Sequence, residues 1–391
     1  MSPLVLSWAL SSVSGYGIYG LQILLHYLRR GGRAQDLILT HAPSALTLPP
    51  LTAARLEPVV TLGAKIQAFL QANPSETLQF NHAVLHGCGN DFLGFAGQDR
   101  VWGQPNIGCA AMEHLSCSPE GLECGKRYDR LIAISQWNAD YLKSLTIGPV
   151  DLCYQGIDPS LFHPAPQSGL YGDRFVIFSG GKFEYRKGQD LVTAAFKRFQ
   201  PRHPEALLVT AWQNLLPPDA EAFARAGHTM GVPELVPNQG LKIAAWLHAQ
   251  GLPEGSFIAL PFTHHLLMPS VLAECDLALF PNRCEGGTNL VAMEAMACGI
   301  PTYVSYNTGQ KDLVDLIGCD AFRGQRPVPS GASMRTTEDW GETDVEEIVT
   351  AMENIYTHRA ESRHRAADLA ARLQEWSWAA MNEKLLQIVC F

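Results

Sequence analysis

Charge is scarce in this sequence: Asp, Glu, Lys and Arg make up only 17% of its 391 residues. What charge there is leans acidic, with 29 lysines and arginines against 38 aspartates and glutamates and a net of −9. That balance disfavours a nucleic-acid binder and leaves only local basic clefts for anions. No CxxC pair occurs among the cysteines at 88, 109, 117, 124, 153, 275, 284, 298, 319 and 390, and no histidines stand at zinc-finger spacing beside them. We read these as reduced thiols of a cytoplasmic protein. No cationic stretch precedes the first apolar run, in MSPLVLSWALSSVSGYG, and that run is too short to cross a bilayer. Neither a signal peptide nor a membrane anchor is expected. Low-complexity segments and solenoid-length repeats are also missing, while hydrophobic residues reach 47% and aromatics 9%. Such a chain folds, and at about 150 residues per domain its length suits two or three domains.

What is present is a rhythm. Apolar runs of strand length, Leu4 to Leu10, Leu37 to Thr40, Ala83 to His86, Ile107 to Met112, Leu131 to Ile134 and Val150 to Tyr154, alternate with longer amphipathic stretches. The pattern reads as βαβ units around a parallel sheet. A proline- and glycine-rich segment, Gly156 to Gly169, interrupts it, and the alternation then restarts with Arg174 to Ser179, Ala206 to Ala211, Phe257 to Leu260, Leu277 to Phe280 and Thr302 to Ser305. The expectation is an α/β protein of two Rossmann-like, doubly wound domains facing across a cleft, 1–160 and 161–370. The tail from Val345 reads as mainly helical, with Trp376 and Trp378 suited to pack its last segment, 371–391, against the first domain.

Four segments carry chemistry. The first strand runs into Ser14-Gly15-Tyr16-Gly17-Ile18-Tyr19-Gly20, whose glycines match GxGxxG and open a helix where the dipole favours an anion. Steric need for a tight turn explains the same glycines, and only Asp36 stands near the place of an acidic ribose partner. The strand ending at Ser179 continues as Gly180-Gly181-Lys182-Phe183-Glu184-Tyr185-Arg186-Lys187-Gly188, where Lys182 and Lys187 set two cations at a strand mouth, a clamp for a diphosphate or else a solvated basic loop. The strand ending at Phe280 leads through Glu285-Gly286-Gly287-Thr288-Asn289-Leu290 into an apolar helix, beginning around Thr288 and ending at Gly299, with Glu294 inside it. A lone carboxylate on such a helix is costly without a task. In the first half, Met112-Glu113-His114 follows a strand and offers Glu113 or His114 as a catalytic group beside Glu285, or else a hydrogen-bonded surface residue, while His86-Gly87-Cys88-Gly89-Asn90-Asp91 follows the preceding strand and would open into the same cleft, either as acceptor contacts or as structure.

Taken in order, the glycine-rich first turn, Tyr128 to Ser135, Gln155 to Asp158 with Phe162 and Pro164, Gly181-Lys182 with Lys187-Gly188, and Glu285 through Pro301 resemble the family 4 retaining glycosyltransferases of the GT-B fold. The resemblance implies a nucleotide-sugar held mainly by the second domain, an acceptor held mainly by the first, and no metal or other cofactor. It places Lys182 and Lys187 on the donor diphosphate, Glu294 on the ribose hydroxyls and Glu285 on the donor sugar; the glycines themselves add Gly286, the amides of Gly287 to Leu290 and the turn at Gly15 and Gly17 as donor contacts. Either Glu113 or His114 takes the position of a first-domain histidine common in the family. That is one departure from the family pattern, and the spacing of the glutamates is another. The family spaces its two glutamates by seven residues, whereas Gly286 to Met293 makes eight here.

The expected activity is therefore transfer of a sugar from a nucleotide-sugar to a hydroxyl acceptor (a glycan, a lipid-linked group or a protein) with retention of configuration. A catalytically silent sugar-nucleotide-binding subunit and a nucleotide-sugar epimerase on the same fold are the alternatives. Arg29, Arg30 and Arg33, at the end of the first helix, suit contact with anionic lipid headgroups at a membrane surface, and equally suit the helix dipole.

Overall fold

A computed structural model describes residues 2–331 and 336–389; Cys390 lies outside the described residues. The chain divides into two compact units, one of residues 1–156 with 376–391 and the other of residues 157–375.

The first unit is built on a six-stranded parallel sheet of β1 (Leu4–Leu6), β2 (Leu37–Leu39), β3 (Val84–Cys88), β4 (Asn106–Ala110), β5 (Arg130–Ala133) and β6 (Val150–Leu152), in the order β2-β1-β3-β4-β5-β6. Its central strands are buried along their length, as a parallel sheet covered by helices on both faces requires. The first strand is shorter than its apolar run, stopping at Leu6 because residues 7–14 turn into the helix Gly15–Arg29. That helix starts where the Ser14 side chain accepts a hydrogen bond from the Gly17 amide at 3.2 Å. The last helix, Trp378–Val389, belongs to this unit, and Trp378 stacks on Tyr19 at 5.8 Å between ring centroids while Trp376 stacks on Tyr154 at 4.5 Å.

The second unit carries β7 (Phe175–Gly180), β8 (Ala206–Ala211), β9 (Phe257–Ala259), β10 (Leu277–Phe280), β11 (Thr302–Ser305) and β12 (Asp320–Phe322), again all parallel, in the order β9-β8-β7-β10-β11-β12. The strand β12 was not anticipated, since three residues opening on an aspartate make no apolar run. Two separate chain directions leave the sheet between β7 and β10, so the crevice beyond their carboxyl ends is the topological switch point where doubly wound folds bind ligands. A cluster of aromatics stiffens its floor: Phe183 stacks on Phe223 at 5.0 Å and meets Trp246 edge-on at 5.1 Å. Each unit is thus a six-stranded parallel sheet, but the order differs: the second runs outward from its first strand through its second and third, whereas in the first unit the third strand lies on the other side of the first.

Candidate active site

The loops that leave β7 and β10 are laced together at that switch point. Gly188 closes the first loop at φ +69°, and a Cβ there would stand 2.2 Å from the carbonyl oxygen of Pro281, so only glycine lets the two loops touch. The amide of Arg283 donates to the Arg186 carbonyl at 2.6 Å. Beneath this seam the Arg283 guanidinium, fully buried, holds both oxygens of Asp190 at 2.9 and 2.7 Å, the Tyr185 carbonyl at 2.7 Å and Glu342 at 2.8 Å. Burial opposes its charge, but the Asp190 carboxylate outweighs burial and raises the guanidinium pKa further. Burial likewise disfavours the Glu342 carboxylate, yet hydrogen bonding from His228 and the charge of Arg283 hold it at about 2.

Above the seam sits a knot of opposite charges. Glu285 Oε1 accepts from Lys187 Nζ and from Asn282 Nδ2, while its Oε2 accepts from Arg186 Nη1 at 3.0 Å. All three charged groups are largely withdrawn from water, with 7% of the Glu285 side chain, 11% of Lys187 and 13% of Arg186 exposed. Burial pushes the carboxylate toward its neutral form, but Lys187 and Arg186 overcome it and hold Glu285 below its ordinary pKa. For Lys187 burial is the larger influence, aided by Arg186 and opposed by Glu285, and its pKa is lowered. The Glu285 amide donates to Thr308 Oγ1 at 2.9 Å, which pins the turn from below.

The turn Gly286 to Asn289 leads into the helix Leu290–Ala297, two residues later than expected. Asn289 caps it from a left-handed conformation, φ +76°, its side chain accepting from the Ala292 amide at 3.3 Å and donating to Gln310 at 3.3 Å. Glu294, buried on the helix, meets His265 Nε2 at 2.6 Å. Burial alone would lower the His265 pKa, and the carboxylate more than reverses this. The imidazole also packs against Phe162, centroids 4.9 Å apart. Lys182, in contrast, is exposed, and its carbonyl accepts from Gln189 Nε2 at 2.7 Å.

Thus the second unit brings Lys187, Glu285, Gly286, Gly287, Thr288, Asn289 and Leu290 into one neighbourhood. Sequence reading passed over Arg186, Asn282, Arg283 and His265, although the first was visible as a third cation between Lys182 and Lys187. The partners of Arg283 and His265 are remote in sequence, and no local spacing marks them.

In the first unit several of the residues singled out take part in packing or in loop hydrogen bonds. A Cβ on Gly17 would stand 2.3 Å from Ser11 Cβ, and one on Gly20 would stand 2.7 Å from Trp8 Nε1, so close packing of the turn accounts for both. Gly15 is the exposed first residue of the helix. His86 lies within β3 rather than at its mouth; it is wholly buried, its Nε2 3.1 Å from Asn106 Oδ1, and burial pushes its pKa down to about 4. Asn90 accepts from the amides of Glu113 at 2.7 Å and His114 at 3.1 Å, thereby shaping the loop after β4 on which both half-buried residues sit. Asp91 accepts from the Ser118 amide at 2.8 Å. Arg30 pairs with Glu383 and Arg33 with Asp36, both within this unit. Among the described residues no group of three or more histidines, cysteines, aspartates and glutamates is arranged to hold a metal ion, and no helix is long and apolar enough to cross a membrane.

Comparison with known proteins bears on this site. Residues 262–385 match the model of a family described as family 4 glycosyltransferase in conflict systems. A GDP-mannose-dependent alpha-(1-6)-phosphatidylinositol monomannoside mannosyltransferase of Mycolicibacterium smegmatis is 27% identical over 252 residues, which are 60% of this chain and 54% of that protein. The chain thus aligns with about half the length of this curated relative. Among solved structures, sucrose-phosphate synthase of Thermosynechococcus elongatus superposes with a TM-score of 0.63 at 15% identity, covering 99% of this chain and 98% of that one. Anabaena HepE, in complex with UDP-glucose, gives 0.63 at 15% identity and covers 99% of both chains. These two likenesses concern the fold. Residues 262–385 are thus similar to family 4 glycosyltransferases, as is the stretch shared with the mannosyltransferase, and the chain as a whole has the GT-B fold of the structures it superposes on.

Proposed function

We propose that this protein transfers a sugar from a nucleotide-sugar donor to a hydroxyl acceptor with retention of anomeric configuration, and that it does so without a metal ion. The observation that carries the reading is the cation cluster at the switch point of the second unit, Lys187 and Arg186 converging on Glu285 in the loop that leads to the helix Leu290–Ala297. Departure of a nucleoside diphosphate places growing negative charge on the phosphate oxygens, and cations withdrawn from water stabilise that charge more strongly than solvated ones. In this reading Lys187 and Lys182 bind the diphosphate, the amides of Gly286 to Leu290 add to the site's positive end, and Glu294 accepts from the ribose hydroxyls. Glu285 contacts the donor sugar. The relatives named above use a GDP-sugar in one case and bind a UDP-sugar in another, and a hexose is the sugar proposed here. The acceptor falls to the first unit, where Glu113 and His114 share a loop shaped by Asn90. We place the protein in the cytoplasm, where nucleotide-sugars are available.

A thermal-shift panel of nucleoside diphosphates and their sugar conjugates tests this directly, because a ligand that binds only the folded state raises the melting temperature. One base should stabilise selectively, and NMR of the product formed from the matching sugar donor should show the donor's anomeric configuration preserved. Indifference of the melting temperature to every nucleotide in the panel would remove the donor site, and an inverted product would remove retention.

A further inference from the structure

Both oxygens of Glu285 are already spoken for, by the same cations that the donor's diphosphate needs. Oε1 faces Lys187 and Asn282, Oε2 faces Arg186, and the three charged side chains are each at most 13% exposed. A carboxylate gripped by two cations at its two oxygens offers them the negative acceptors that phosphate oxygens would offer. Without it, Lys187 and Arg186 would face each other as buried like charges, which is costly. Arg186 is itself tethered from behind, its Nη2 2.8 Å from Glu184, so it stays in the cluster when its bond to Glu285 breaks.

We propose that Glu285 and the donor diphosphate compete for one place: phosphate oxygens take Lys187 and Arg186 in exchange for the Glu285 carboxylate, and the released carboxylate turns to accept hydrogen bonds from the donor sugar. Two consequences go beyond the donor-site reading on which this rests. Arg186 becomes a diphosphate-binding residue beside Lys187, and Glu285 opposes nucleotide binding even as it serves the sugar. Its readiness for the sugar is then tied to occupancy of the phosphate site.

A nucleoside diphosphate lacks the sugar, so it isolates the exchange. Isothermal titration of UDP and GDP, each alone, into the wild-type protein, Glu285→Gln and Arg186→Met gives opposite shifts under the proposal. Glu285→Gln, which keeps the shape and drops the charge, should bind the preferred diphosphate about tenfold more tightly, the scale of one hydrogen bond to a charged group. Arg186→Met should bind it about tenfold more weakly. Unchanged or weakened binding by a folded Glu285→Gln would overturn the exchange while leaving the donor site standing. If that variant does not fold, Arg186→Met decides: weakened binding supports the proposal, and unchanged or tighter binding overturns it. Failure of the wild-type protein to bind either diphosphate would instead strike the donor-site reading itself.

Discussion

Arg283 grips Asp190 with both terminal nitrogens, at 2.9 and 2.7 Å, and neither side chain has any exposure to water. Arg283 sits two residues before Glu285, and Asp190 three residues after Lys187. The pair therefore ties the two halves of the charge cluster to one another from below. Replacing one partner strands the other as an uncompensated buried charge, which costs about 3–5 kcal/mol. Arg283→Met should accordingly lower unfolding free energy in urea by that order, and nucleotide affinity should fall with it because the Lys187 loop loses its anchor. A variant as stable as the wild type would show that the pair holds nothing.

The seam itself depends on a missing side chain. Gly188→Ala demands a left-handed backbone from alanine and drives its Cβ into the Pro281 carbonyl, 2.2 Å away. Strain of this kind costs about 1–3 kcal/mol. The loops should part, so thermal melting should shift down and UDP or GDP binding should weaken together. Stability lost with affinity retained would separate the seam from the site.

The two lysines should not be equal. Lys187 is buried in the cluster, whereas Lys182 is exposed and fixed only through its carbonyl. Lys187→Ala should weaken nucleoside-diphosphate binding by about 1.5–3 kcal/mol, the range for hydrogen bonds to charged groups. Lys182→Ala should cost less, since a solvated side chain must be ordered before it can contribute. Titration of both variants under one buffer gives the comparison, and a larger loss for Lys182→Ala would reverse the assignment.

His265 and Glu294 make stability depend on pH with a definite sign. The folded state raises the His265 pKa above its ordinary 6.5, against burial and through Glu294, with Asp158 adding to the effect. Its contribution is therefore complete below the unfolded-chain pKa and is lost as pH rises through the higher folded value. Denaturant melts taken across that rise should show the wild type losing stability relative to His265→Gln. A constant difference between the two would mean that the imidazole is not charged against Glu294. Glu294→Gln removes the same dependence and, by the proposed ribose contact, should also reduce donor binding at subsaturating concentration.

The strands were legible because parallel strands buried on both faces leave continuous apolar runs, as in Phe175 to Phe178 and Leu277 to Phe280. Asp320–Phe322 left no such run, and the short pairing of Leu235–Val236 with Gly240–Leu241 was equally silent. In the site, Lys187, Glu285 and Glu294 stood out as charges beside glycines or on an apolar helix. Their partners did not, because Arg283 meets Asp190 from 93 positions away and His265 meets Glu294 from 29. The glycines near Gly15 look like an anion turn in the sequence, and only the packing of Ser11 and Trp8 against Gly17 and Gly20 reveals their steric use. Asn289 offered no hint of its left-handed backbone.

The central claim is that the second unit holds a nucleotide diphosphate on Lys187 at the mouth between β7 and β10. A crystal structure with the preferred nucleoside diphosphate, UDP or GDP, tests it most directly. The account predicts phosphate oxygens within hydrogen-bonding distance of Lys187 Nζ and of the amides that precede Leu290, with the ribose hydroxyls on Glu294. A diphosphate bound instead at the Gly15 to Gly20 turn of the first unit, with Lys187 still held by Glu285, would contradict it.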